Sequence, residues 1–128
     1  MGILHEETTD KILKAYYNVH NELGFGFLEK VYENALFIEL KSLGVKCERQ
    51  KPIDVFYKGE KVGTYFADIV VEDIIMMELK AVEGIVKEHE FQLINYLKAT
   101  EMQVGLLLNF GKKPEFRRKV FTHLLERR

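Results

Sequence analysis

Residues 67–80 read Ala67-Asp68-Ile69-Val70-Val71-Glu72-Asp73-Ile74-Ile75-Met76-Met77-Glu78-Leu79-Lys80. Two apolar, β-branched runs flank the acidic pair Glu72-Asp73, the pattern of two strands joined by a turn. The run from Ile74 to Lys80 is apolar on both faces until its end, which places it centrally in a sheet. Glu78 and Lys80 stand two residues apart on that strand, so they project to one face about 6–7 Å apart. Asp68 lies on the neighbouring strand. If Val71 pairs with Ile74, Met77 falls opposite Asp68 and Glu78 opposite Ala67. A strict hairpin thus leaves the two acids one step out of register, and a bulge or wider loop is needed to bring them to one face.

Before this stretch, Ile12, Tyr16, Val19 and Leu23 recur at helical spacing, predicting a helix over Thr9 to Leu23 that Gly24-Phe25-Gly26 ends. A second helix is expected from Phe27 to Leu43, with Gly44 as its stop. Ile53, Val55 and Tyr57 then alternate along a strand disturbed by Pro52, and Lys58-Gly59-Glu60 turns the chain into a strand from Lys61 to Val71. After Lys80, an amphipathic helix is expected from Gly84 to Thr100, followed by an apolar strand from Val104 to Phe110. Pro114 suits the first turn of a last helix, with Phe116, Val120, Phe121 and Leu124 as its buried stripe. The order ααβββαβα predicts an α/β or α+β sandwich around a mixed four-stranded sheet. Residues 1–128 read as one domain, since no linker, repeat or low-complexity segment interrupts them.

Glu78-Leu79-Lys80 stands out by position. The chain contains a second Glu-x-Lys, Glu39-Leu40-Lys41, on the outer part of a helix, where it reads as a solvated face. The first instead ends a buried strand, where charge is costly unless paired or ligating. Asp68 and Glu78, if they converge, suit a hard cation such as Mg²⁺ (or Mn²⁺ in its place), able to acidify a water and stabilise charge on a phosphoryl oxygen. Lys80 would position that water or neutralise developing charge. A structural salt bridge is the competing reading. Ile85, His89, Gln92 and Tyr96 form one helical stripe, in which Gln92 and Tyr96 need partners such as a phosphate, a base edge or a loop carbonyl. His89 reads either as a substrate contact or as a satisfied helix histidine. On the second helix, Glu29 and Glu33 lie one turn apart, and spacing does not choose between them as a third metal oxygen.

Gly26-x-x-Glu29-x-x-Tyr32 resembles the motif of the GxxExxY proteins, a family of the PD-(D/E)XK nuclease superfamily. Further stretches sit in that family's order: Gln50-Lys51-Pro52-Ile53, Tyr57-Lys58-Gly59, Ala67-Asp68, Glu78-Leu79-Lys80-Ala81, Gln92-Leu93-Ile94-Asn95-Tyr96-Leu97 and the run from Gly105 to Gly111. The resemblance covers about Asp10 to Arg118. It implies a restriction-endonuclease-like core, αβββαβ, carrying an extra N-terminal and C-terminal helix here. It also implies that Asp68 and Glu78 are metal ligands, that Lys80 is the catalytic lysine, and that Glu29 rather than Glu33 is the helix-borne acid. Gln92-x-x-x-Tyr96 is similar to an element of RecB-like exonucleases that lies against the substrate strand. Asp68 follows Ala67 where the superfamily motif has proline, and the iron–sulfur cysteines of some RecB-like relatives are absent.

The expected function is a metal-dependent phosphodiester hydrolase acting on nucleic acid, DNA before RNA. The alternative is a catalytically silent module that binds nucleic acid or a protein partner. A short chain with little surface for wrapping duplex suggests a homodimer or a subunit of a larger complex. Among 128 residues, 47% are hydrophobic and 30% charged, as in ordinary globular proteins. The lone cysteine, Cys47, excludes an internal disulfide framework. With no signal-like start and no apolar run long enough to span a bilayer, a cytoplasmic location is expected, away from membranes. The net charge of −1 hides a division. Residues 112–128 carry seven Lys/Arg against two Glu, a net +5, and residues 1–111 carry twelve bases against eighteen acids, a net −6. The basic end is a candidate phosphate contact.

Overall fold

A computed structural model of the chain describes residues 4–122. Its elements are α1 (Glu6–Leu23), α2 (Glu29–Ser42), β1 (Cys47–Tyr57), β2 (Glu60–Val71), β3 (Ile75–Lys80), α3 (Lys87–Lys98), β4 (Val104–Phe110) and β5 (Pro114–Val120). The strands form one sheet in chain order, with β3 and β4 parallel and every other neighbouring pair antiparallel. The parallel pair needs a crossover, which α3 supplies. The mixed α+β class and the αβββαβ core order agree with the sequence reading.

Alternation within the strands sends side chains to two cores. Ile75, Met77 and Leu79 of β3, with Leu106 and Leu108 of β4, pack against Ile12 and Tyr16 of α1 and Leu36 of α2. Met76 and Leu107 face the other way, onto Leu93 and Leu97 of α3. The approach of α3 to β4 is close enough that a Cβ on Gly105 would lie 2.8 Å from Leu93 Cδ1. Pro52 sits inside β1, where an edge position tolerates its missing N–H. Among the described residues, no helix is long and apolar enough to cross a membrane.

Two expectations are corrected at the C-terminal end. The sheet has five strands rather than four, and residues 114–120 form β5 rather than a helix. All seven residues of β4 are buried, so its backbone groups need a partner on both edges. A helix cannot provide one. β5 pairs with the whole of β4, from Val104↔Val120 to Phe110↔Pro114. The spacing of Phe116, Val120 and Phe121 imitates a helical stripe, yet Phe116 packs on the α1 side and Phe121 on the α3 side. Leu124, the last position of that stripe, lies outside the described residues.

Candidate active site

The turn between β2 and β3 resolves the register problem. It spans Glu72, Asp73 and Ile74, with Glu72 and Asp73 at φ 52° and 56°, and the Ile74 N–H donates to the Val71 carbonyl. Val71 therefore pairs with Ile75, one residue later than a strict hairpin allows. Pairing continues to Ile69↔Met77, and side chains then take over from the backbone ladder. Oδ2 of Asp68 accepts the Leu79 N–H at 2.8 Å, and the Asp68 N–H donates to Glu78 Oε2 at 3.3 Å. The two carboxylates meet in the fork between the strands.

A second irregularity aims them. Tyr65 and Ala67 pack with the α3-side core, whereas Ile69 and Val71 pack with the α1/α2-side core. Four residues of one parity would share a face in a regular strand, so β2 reverses its facing at Asp68. β1 reverses alongside it. Cys47 packs on one side, Ile53 on the other, and Gln50 between them has φ 51°.

Around the fork the acids are crowded. Burial, then the charge of Asp68, pushes the Glu78 carboxyl up to about 8. The Tyr65 hydroxyl donates to Glu78 Oε2, and the Tyr65 ring stacks on Tyr96. Asp68 is also held above its ordinary range, first by burial and then by the charge of Glu33. Gln50 links these acids, donating from Nε2 to Glu33 Oε1 at 2.8 Å and to Asp68 Oδ1 at 3.4 Å. Glu33 is buried on α2, and its Oε2 takes Lys30 at 3.1 Å. Glu29 is exposed at the start of α2. Partial desolvation raises its pKa while the Lys80 ammonium lowers it, and Asp68, Glu33 and His89 also act on it. Glu29, Glu33, Asp68, Glu78 and Lys80 thus occupy one electrostatic neighbourhood.

The α3 residues divide. The His89 Nδ1 accepts the Val86 N–H at 3.2 Å and so caps its own helix. Gln92 is exposed and hydrogen-bonds Tyr96, whose hydroxyl is raised by burial and by Glu78. Ile85 precedes the helix and is not part of its stripe. Sequence reasoning missed Tyr65 and Gln50 as site residues. Gln50 stood in a quoted stretch without a role, and nothing local marks Tyr65, because its facing depends on the reversal at Asp68.

The donor set fits a hard divalent cation. Mg²⁺ is typically held by one or two carboxylates, with waters and substrate phosphate completing the shell. Glu78 is a buried and Asp68 a half-buried oxygen donor; burial disfavours ionisation of both, aided by Glu33 at Asp68 and by Asp68 at Glu78, and a cation would relieve these costs. Among the described residues, no three Asp, Glu, His or Cys side chains form a ready-made cage. The fit rests on the carboxylate pair.

A mixed five-stranded sheet flanked by helices, with the β2–β3 fork at its centre, defines a restriction-endonuclease-like fold. The chain matches the PD-(D/E)XK nuclease superfamily over residues 6–119 and belongs to it. The superfamily is one of nucleases, and PD-(D/E)XK nucleases generally use divalent metal ions. Among solved structures, that of SSO0001 is similar, with a TM-score of 0.57 and 18% identity. The match covers 72% of this chain and 50% of that one, so the chain spans half the length of that protein, and the likeness shows the fold alone. A comparison with curated proteins gave no significant match.

Proposed function

We propose that this chain is a metal-dependent nuclease of the GxxExxY type, acting on nucleic acid and on DNA in preference to RNA. The observation that carries the reading is the fork itself, where the Asp68 N–H donates to Glu78 while the Leu79 N–H holds Asp68 in place. Asp68 and Glu78 would hold Mg²⁺, or Mn²⁺ as its substitute. Both oxygens of Glu33 are engaged, by Gln50 and Lys30, whereas Glu29 stands exposed beside Lys80 and Asp68, which supports Glu29 as the third oxygen. When bound, the ion supplies Lewis acidity at the scissile phosphate. Lys80 places an ammonium two residues beyond Glu78, suited to orienting a water and offsetting charge on the phosphate. Gln92 and Tyr96 lie along α3 on the side of the fork, available to the substrate strand.

The GxxExxY assignment is supported by what Tyr32 does. It is fully buried, and its hydroxyl accepts the Phe27 N–H at 3.2 Å and donates to the Gly24 carbonyl at 2.8 Å. The tyrosine of the motif thus holds the turn containing Gly26, φ 107°, from which α2 starts with Glu29.

The test is cleavage of labelled single-stranded, duplex and branched DNA with Mg²⁺ or Mn²⁺. Asp68→Ala and Lys80→Ala should each abolish it. Activity that survives in both variants refutes the assignment. A wild-type chain that binds DNA, takes up no Mn²⁺ by calorimetry and cuts nothing is the silent module instead.

A further inference from the structure

The loop Gly24-Phe25-Gly26-Phe27-Leu28 is fixed from below and apolar above. Gly24 and Gly26 take φ 70° and 107°, which suit glycine, and Tyr32 clamps both ends of the segment. A loop so constrained could have turned its aromatics inward. Instead Phe25 is 56% exposed, and Phe27 48%. Phe25 walls a pocket of about 280 Å³ whose other side is Ala81 and Val82, the residues directly after Lys80. Lys112 lines the same pocket, with its ammonium 5.9 Å from the centre of the Phe25 ring. The loop also runs straight into Glu29. An exposed aromatic ring with a cation over one face and a small open volume lined by the residues that follow Lys80 form one constellation. It is not used by the metal site.

We infer that this pocket takes one unstacked nucleotide of the substrate, its base on Phe25 and a flanking phosphate on Lys112, so that the preferred substrate is single-stranded or has a frayed or flipped residue beside the scissile bond. This rests on reading Asp68, Glu78 and Lys80 as the phosphodiester site. Of the two charged residues that line the pocket, Glu83 and Lys112, Lys112 is the one complementary to a nucleic-acid phosphate. The ring requires an unpaired base, because a base inside a duplex has both faces stacked on its neighbours.

The experiment measures binding of a fluorescent single-stranded oligonucleotide and a blunt duplex of equal length by anisotropy, in EDTA so that nothing is cut. Wild type should prefer the single strand. Phe25→Ala should weaken single-strand binding on the order of tenfold, the usual effect of removing a stacking aromatic, and leave duplex binding unchanged. Phe25→Trp should restore it. Because Phe25 is exposed, the variants are expected to keep the wild-type thermal midpoint. Lys112→Gln should weaken single-strand binding and flatten its salt dependence. Equal losses for both substrates, or no loss in Phe25→Ala, overturn the inference. So does a dimer that Phe25→Ala dissociates without changing nucleic-acid affinity, which would make the loop an interface between copies. Failure of the nuclease reading looks different, namely no cleavage by wild type under Mn²⁺ with the Phe25-dependent single-strand preference intact.

Discussion

Asp68 and Glu78 hold each other in the β2–β3 fork, the backbone N–H of the first donating to the carboxylate of the second at 3.3 Å. Glu78 is buried and Asp68 half-buried beside it, and with both carboxylates ionised their burial and repulsion oppose folding unless a cation joins them.

Stability of the metal-free protein should therefore fall as pH rises. The folded-state value of Glu78, about 8, lies above its ordinary 4.5, so the folded chain holds this proton more tightly than the unfolded one. The resulting stability is fully present below pH 4.5 and is lost as pH climbs through 8. Urea denaturation in EDTA should show a decline on the order of a few kcal/mol between pH 5 and 9. Glu78→Gln should flatten that slope, and Mn²⁺ should restore wild-type stability at the alkaline end.

Tyr65→Phe removes the hydroxyl that donates to Glu78 and keeps the ring stacked on Tyr96. The lost hydrogen bond favours the ionised carboxylate, so Glu78 should titrate still higher in the variant. Mn²⁺ affinity is expected to drop about 10- to 100-fold, as when other orienting partners of metal ligands are removed. Calorimetric titration checks this. Because buried Glu78 loses a donor, stability should also fall, by about 1–3 kcal/mol.

Gln50→Ala breaks the bridge between Glu33 and Asp68. Glu33 is 5% exposed, and its Oε1 would lose its donor in a place where water reaches poorly. A cost of about 1–3 kcal/mol follows, measurable by chemical denaturation. Glu33→Gln in the same background should recover part of it, because a neutral amide is cheaper to leave buried than a carboxylate.

Gly111→Ala should cost about 1–3 kcal/mol. The added Cβ would lie 2.9 Å from the Val82 carbonyl oxygen and 3.0 Å from Asn109 Nδ2. Both groups are committed, since Asn109 holds Val82 by its N–H at 3.0 Å and by its carbonyl at 2.9 Å. The loop after Lys80 is therefore rigid where the methyl would push. Gly63→Ala, with nothing within 4 Å of its Cβ, is the control and should be neutral. Thermal midpoints of the two variants distinguish them.

The basic C-terminal segment illustrates how a charge count needs a structure. Lys119 and Arg117 reach Glu90 of α3 at 2.5 and 3.7 Å, and Arg117 also pairs with Glu115. These two bases tie β5 to α3, so that part of the segment's positive charge is paired within the fold. Lys112, beside Phe25, is the base from that segment that the pocket uses.

Read alone, the sequence yields the order of elements through β4 and singles out Asp68, Glu78 and Lys80 as candidate site residues. Period-two and helical spacing are local properties, and a charge ending an apolar strand is visible wherever it stands. The register of β2 on β3, the reversal of facing at Asp68 and Gln50, the role of Tyr65 and the existence of β5 were decided only in three dimensions. Each depends on which strand lies beside which. One added turn residue at Ile74 shifts the whole pairing, and a fully buried β4 required a second partner from a segment whose own spacing favoured a helix. Strand pairing is non-local, so no window along the chain contains it.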